Sequence, residues 1–581
     1  MAVTLNELPI EVLDQIISYI SPSSVPTIQT VSRKFNNLPQ PLLWRYHCRT
    51  QFKYWSPEHD LRQKLLEAVV ETDWKKLFSH RFCIDRSITR DIDGILASQR
   101  NRIEKAERIM GHGYDAKDAL LRHLNVGDDA EDVLARRFYT DAVLGGLHRS
   151  MAIREWAKLN DGEVVPLERA LAAFDMFVLR EREGDFHDVA TRLDRIAQQV
   201  CSQNPRFMDQ SPQQKAIALA EFLRRNDWTG ISGKSHYHDL QNNFIGIALQ
   251  NEPHPSLPLV SVAIYCCVAQ RLGIDAQPCG FPFHMLAIIK PSPGRTLDGR
   301  HTVSGTSSEP MYMDPFRSNQ EVYVKDLRSQ LERLGISPSN FPELLGVSST
   351  AEIVRRSAKN IITSLQAIRR NHDAAHSFPN VDGAFYAAVW ALLLLPEGST
   401  ITAGAQRANR LSHITELIEK HFLTDTWLIE KYILPLIEDG PQHGQLQKTI
   451  RVIRTTDHMP KNVKGRTSDS LRNVIYKVGQ IFHHKRYHYK AIITGWDVEC
   501  AATDDWMAHM GVHELQRGKY QGFYHVLAED KSVRYVAEEN IALVQEDPGE
   551  DLMALAGQHF KRWDGTNWVF VSNMRDEYLN D

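Results

Sequence analysis

The sequence predicts a multidomain chain, mainly α with α+β character. Three observations carry this. With 581 residues the chain exceeds what one hydrophobic core organises, and points to three or four domains of ~100–200 residues. Apolar residues recur at helical spacing through 60–200 and again through 349–456. The last hundred residues instead alternate apolar and polar side chains, as in KAIITGW and FYHVLAED, the period of half-buried strands.

Composition bounds the function classes. A hydrophobic fraction of 42%, a charged fraction of 24% and a net charge of -4 are ordinary for globular protein. Whole-chain electrostatics therefore favour neither nucleic acid nor a membrane surface. The seven cysteines (Cys48, Cys83, Cys201, Cys266, Cys267, Cys279, Cys500) are an odd number without a CxxC pair. This argues against a disulfide framework or a zinc knuckle and for a reducing compartment, cytoplasmic and/or nuclear. No cofactor and no metal site are expected. The N-terminus lacks a basic-then-apolar leader profile. The longest uncharged apolar run, Gly383 to Leu395, is 13 residues, short of the ~20 of a spanning helix, and reads as a buried helix.

Residues 1–50 form the first expected domain. Leu8-Pro9 opens a short helix with Ile10, Leu13, Ile16, Ile17 and Ile20 at helical spacing, and Asn6 with Pro9 supplies start chemistry. After a Ser/Pro-rich break, Val25, Ile28, Val31 and Phe35 make a second stripe, and Trp44 closes the segment. Two or three helices this short cannot bury both faces alone, so one face is expected to meet a partner. The pattern LP-x-E-V-L…VS-R-x-F…W resembles the F-box. The resemblance implies docking onto a Skp-family adaptor, and through it a cullin, by Leu8, Pro9, Val12, Leu13, Ile16, Ile20, Val31, Phe35 and Trp44.

A helical connector over 51–160 follows, with segments such as LEAVVETDWKKLFSHRF and IDGILASQRNRIEKAERI. Residues 161–330 change from helices to short strands and a turn-rich stretch. Within them, LPLVSVAIYCCVAQRLGIDAQPCGFPFHMLAIIK predicts a helix from about Leu259 to Leu272, closed by Gly273 in C-cap position. A strand carrying Cys279 follows, then a second strand beginning at His284; Asp314-Pro315-Phe316 comes thirty residues later. RLGI, the Gly280-to-His284 Gly-x-Pro-x-His element and Asp314-Pro315-Phe316 resemble the SirB-type transglutaminase-like domain. That resemblance places His284 and Asp314 at the family's His and Asp positions. In such enzymes a thiol at the helix N-terminus is activated by the dipole and the paired His. Counting back from Gly273, the nucleophile position here falls at about Pro258, which has no reactive side chain. Cys266 and Cys267 lie deeper in the helix, and Ser256 and Ser261 lack the pattern of an activated serine. The expectation is a non-catalytic domain with a degenerate His284–Asp314 remnant.

Residues 345–456 are helical without a repeat period, and 457–475 read as a polar linker. Residues 476–545 then read as strands, and 556–581 as a further hairpin and tail with Asp-Gly near its turn. VGQIFHHKRYHYKAIITGWD and FYHVLAED…RYVAEENI resemble the YccV-like domain, a family labelled hemimethylated-DNA-binding. That resemblance implies a small SH3-like β-barrel. Residues 476–544 carry eight Lys/Arg against nine Asp/Glu, a poor balance for gripping phosphates. From Lys448 to Lys490, however, eleven Lys/Arg face two acids. Lys448, Arg451, Arg454, Lys461, Lys464, Lys485 and Arg486, interleaved with Tyr487 and Tyr489, form the candidate ligand surface for an acidic peptide or a nucleic-acid backbone.

The three resemblances together imply the substrate-recognition subunit of an SCF-type cullin ubiquitin ligase: the first domain docks the adaptor and the distal domains bind a protein substrate. Two alternatives stand beside it: a DNA-binding protein acting through the YccV-like domain, and a thiol enzyme using His284.

Overall fold

The computed structural model describes residues 8–36, 40–179, 183–231, 237–301, 309–370, 378, 380–396, 401–466, 474–574, 576–578 and 581. The chain divides into two compact units, one of residues 1–144 with 451–581, the other of residues 145–450.

In the first unit, four helices open the chain: Ile10–Ser18, Val25–Gln29, Arg33–Asn36 and Gln40–Gln51. Leu13, Ile17, Val25, Phe35, Trp44, Cys48 and Phe52 interlock with Trp74 and Phe78 of the long helix Trp74–Ala97. Asp73 caps that helix by accepting the Lys76 N–H at 3.0 Å. The fully buried Arg81 guanidinium is matched by Asp115 and Asp118 and donates to the Tyr54 carbonyl, so its charge is satisfied inside the core.

The C-terminal part contains β5 (Ile481–His484), β6 (Lys490–Asp497), β7 (Phe523–Ala528), β8 (Val533–Ala537) and β9 (Ile541–Leu543), after β1 (Ala276–Cys279), β2 (Leu286–Ile289), β3 (Met311–Met313) and β4 (Glu321–Val322) of the other unit. They pair antiparallel in the order β8-β7-β6-β5-β9. The expected barrel is thus a five-stranded sheet whose edge strands, β8 and β9, are joined by the short turn Glu538–Asn540. Alternation along β6 and β7 sends Ile492, Tyr524 and Val526 into one core. That core also takes Leu552, Ala556, Phe560, Phe570, Met574 and Tyr578. The hairpin of β10 (Phe560–Asp564) and β11 (Val569–Ser572), expected as a separate tail, is therefore part of the same domain.

Described residues of the expected linker 457–475 are tied to distant elements, while 467–473 lie outside the described residues. Asp457 and His458 end the helix Pro441–His458, and the Asp457 carboxylate accepts the N–H groups of Arg102 and Ile103, both at 3.1 Å. Lys464 pairs in a parallel bridge with Tyr578. A polar composition reads as a loop locally, but these polar groups are the caps and bridges of distant elements.

The second unit is built around the helix Pro258–Arg271, buried along its whole face from Pro258 to Ala269. Helices Leu167–Asp175, Phe186–Gln203 and Pro212–Arg225 pack on it, together with β1 (Ala276–Cys279) and β2 (Leu286–Ile289). Strands β3 (Met311–Met313) and β4 (Glu321–Val322) complete the antiparallel order β1-β2-β3-β4. Helices Thr350–Arg370, Val381–Leu394 and Ile401–Lys420 add the expected helical region. The apolar run beginning at Gly383 is that buried second helix, and no helix among the described residues is long and apolar enough to cross a membrane. The helical region is continuous with the preceding domain: Tyr312 Oη donates to the Leu345 carbonyl at 2.8 Å and Arg356 to that of Phe281 at 3.1 Å.

Candidate functional site

Three sets of residues were singled out by the sequence, and the structure treats them differently. In the N-terminal helix, Leu13 and Ile17 stand four apart and point into the core. Val12, Ile16 and Tyr19 fall on the neighbouring face, where Val12 and Tyr19 are exposed and Ile16 half-buried. Val31 is 69% exposed, Pro9 is exposed, and Leu8 and Ile20 pack partly on the core edge. Leu13, Phe35 and Trp44, expected on the adaptor face, are buried in the same core cluster as the chain's own Trp74 and Phe78. The stripe at helical spacing merges two faces that the fold separates.

His284 and Asp314 come together. Ala287 of β2 lies opposite Met313 of β3, so the residues just before one strand and just after the other emerge at the same sheet end. His284 sits in the turn two residues before β2, not in the strand as expected. Its Nε2 donates to Asp314 Oδ2 at 2.8 Å, and Asp314 Oδ1 accepts the Arg317 N–H at 3.1 Å. The neighbouring Phe283 is exposed and held at φ +62, outside the usual range for a side-chain-bearing residue.

Pro258 is the first residue of its helix, as the count from Gly273 requires. The flanking serines are spent on structure. Ser256 Oγ and Ser261 Oγ are 2.7 Å apart, the Gly230 N–H donates to Ser261 Oγ, and the Ser256 N–H donates to the Gly230 carbonyl. Gly230 links this helix end to the dyad, because a Cβ there would stand 3.3 Å from the Phe316 carbonyl two residues beyond Asp314. The thiols nearest to this helix start in sequence, Cys266, Cys267 and Cys279, are buried. Burial pushes Cys266 and Cys267 well above the ordinary thiol range and Cys279 up to about 11.

Two members of the basic stripe are drawn into ion pairs and the others lie apart along the sequence on different elements. Arg454 pairs with Glu107 at 3.1 Å and Lys464 with Asp497 at 2.8 Å, and Lys464 also donates to the Trp496 carbonyl. Lys448 and Arg451 are exposed along the helix Pro441–His458, and Lys461 is half-buried after it. Lys485 and Arg486 lie on the β5–β6 turn.

One cluster was not foreseen. Asp497 at the end of β6 accepts from Lys464 Nζ, Tyr535 Oη (2.7 Å) and His525 Nε2 (3.2 Å). Despite its burial, these donors hold its carboxyl far below the usual range. Its partners come from 33 residues before to 38 after, so no local motif announces it.

Comparison with known proteins gives the class that these features define. The family described as F-box-like matches residues 5–50, the transglutaminase-like superfamily 187–359, and the family described as hemimethylated DNA-binding protein YccV like 474–567. The chain thus carries an F-box-like, a transglutaminase-like and a YccV-like domain in that order. It is similar nearly end to end to F-box only protein 21 of Homo sapiens, 24% identical over 99% of this chain and 92% of that protein. The Pongo abelii protein gives the same figures, and that of Mus musculus is 24% identical over 93% of this chain and 84% of its own length. No solved structure matches.

Proposed function

We propose that this chain is the substrate-recognition subunit of an SCF-type ubiquitin ligase. On this reading the F-box docks the Skp-family adaptor and thereby a cullin, and the distal domains hold a protein substrate. The observation that carries the reading is the division of the F-box helices. Leu13, Ile17, Phe35 and Trp44 are buried in the module's own core, while Val12 of the first helix, Tyr19 at its C-cap and Val31 in the turn before the third helix are exposed apolar side chains. Catalysis by this chain is tethering alone: a bound substrate is held near the charged conjugating enzyme at high effective concentration. Pro258 at the helix start and the enclosed thiols support a non-catalytic transglutaminase-like domain. Seven free cysteines accord with a reducing compartment, cytoplasmic or nuclear.

Co-purification of the adaptor tests this. Val12→Glu with Val31→Glu is expected to abolish adaptor capture while the melting temperature stays within a degree or two, because both side chains already face water. Undiminished capture, or a large fall in melting temperature, would show that this face is not the docking surface.

A further inference from the structure

The β5–β6 turn gathers three exposed basic side chains within four residues, on a braced backbone. Five cations of this domain are matched by carboxylates, Lys464 by Asp497, Arg466 by Asp581, Lys490 by Glu546, Arg517 by Glu538 and Arg534 by Asp530, while Lys477 and Lys531 are exposed without one among the described residues. Lys485, Arg486 and His488 have no carboxylate within ion-pair distance among the described residues, and all three are exposed. Between them stands Tyr487, 63% exposed, with the Arg486 guanidinium 5.4 Å from its ring centre.

The turn is also rigidly built from beneath. The buried His484 imidazole uses Nδ1 to accept the N–H groups of Arg486 and Tyr487, each at 3.1 Å. Burial and the flanking guanidiniums lower its pKa, which keeps that nitrogen an acceptor. The Lys485 N–H donates to the Asn540 carbonyl at 2.8 Å and the His488 N–H to that of His484 at 2.8 Å. His488 turns the chain at φ +56. Below, Tyr487 and Tyr489 flank the His484 ring at 4.8 and 5.0 Å, and the Arg534 guanidinium lies 4.0 Å from the Tyr489 ring centre. Lys485 Nζ donates to the Glu539 carbonyl at 2.7 Å, and Arg486 and Tyr487 project from a backbone whose N–H groups have acceptors, so little ordering of the turn remains to be done on binding.

We propose that Lys485, Arg486 and Tyr487 form a docking site for a short acidic segment of a protein partner, with an aromatic or apolar residue of that segment against the Tyr487 ring. The inference rests on the receptor reading above and places substrate contact in the YccV-like domain. A short segment fits better than a long polyanion. Glu529 and Asp530 follow β7 and Glu546 and Asp547 follow β9; Glu529, Glu546 and Asp547 contact Lys490, three residues beyond Tyr487, so a long polyanion along the turn meets nearby carboxylates.

An array of acidic, neutral and basic 12-residue peptides, each with one aromatic residue, can be probed with the full chain alongside labelled duplex and single-stranded DNA. Acidic peptides should be retained preferentially. Lys485→Ala with Arg486→Ala should cut that retention at least tenfold, Tyr487→Ser several-fold, and the signal should fall steeply between 50 and 500 mM salt. Control substitutions at the exposed Lys477 and Lys531 should leave it within twofold. Absence of acidic preference, a preference untouched by the paired substitution, or tighter binding to DNA lost in that same variant would each overturn the proposal. Adaptor capture by the paired variant, measured in parallel, separates failure of this site from failure of the receptor reading.

Discussion

At the residue scale, Leu13 shows how one position changes meaning between sequence and fold. At sequence level it belongs to a stripe offered to a partner. In the folded chain it is buried in one core cluster with Trp74 and Phe78, more than fifty residues away in sequence, and periodicity cannot say which wall an apolar residue meets. Leu13→Ala is therefore expected to destabilise the chain by about 2–4 kcal/mol in chemical denaturation, an amount that Val12→Ala should not approach. The thiols follow the same logic. Iodoacetamide at neutral pH should label the exposed Cys83 and the half-buried Cys201, and leave Cys48, Cys266, Cys267 and Cys279 intact in the native protein. Asp175 gives a pH signature. It is fully enclosed beside Gly246 and accepts the Ile247 N–H at 3.0 Å, and burial raises its carboxyl to about 7. A folded-state pKa above the unfolded value means that the folded protein holds the proton more tightly. That stabilisation is complete below about pH 4 and is lost as pH rises through 7, at roughly 1.4 kcal/mol per unit. Asp175→Asn should gain melting temperature relative to the parent between pH 5 and 8; an equal dependence in both proteins would show that Asp175 is ionised throughout.

At the element scale, the strands and the central helix were legible because their signals are local. Gly273 stops the helix after Arg271, and alternation marks β6, β7 and β8 within a residue or two. The dyad was legible in composition and order, and the pairing of β2 with β3 supplies the geometry. Elements finished by remote residues were not legible. Asp457 serves the start of the helix Arg102–Gly111 from the far side of the sequence, so 457–475 looks like a free linker when read alone. Asp457→Ala should cost about 1 kcal/mol or more and speed amide exchange at Arg102 and Ile103, since two N–H groups lose their acceptor. The transglutaminase-like elements carry a negative expectation: incorporation of a fluorescent primary amine into a glutamine-bearing protein should stay at background. A signal removed by Cys266→Ser with Cys267→Ser would contradict the assignment of Pro258 to the nucleophile position.

At the scale of the whole molecule, the first 144 residues and the last 131 build one unit, and 145–450 build the other. The F-box and the YccV-like sheet, at opposite ends of the sequence, thus share a folded body. Ser98 Oγ donates to the Asp576 carboxylate at 2.7 Å, and Tyr139 Oη to the Gln558 carbonyl at 2.8 Å. Removing residues 1–50 to test the receptor reading would uncover Trp74 and Phe78, so surface substitutions are the cleaner probe. The central claim is that this chain selects proteins for ubiquitylation through its F-box without chemistry of its own. The most direct measurement is ubiquitin-remnant mass spectrometry of cells expressing the intact chain or the Val12→Glu, Val31→Glu variant at matched levels. The account predicts a set of proteins whose modification rises with the intact chain, falls to background with the variant, and whose co-purification with either form persists. A ubiquitylation pattern that is the same for both forms, with adaptor and cullin still bound to the variant, would contradict it.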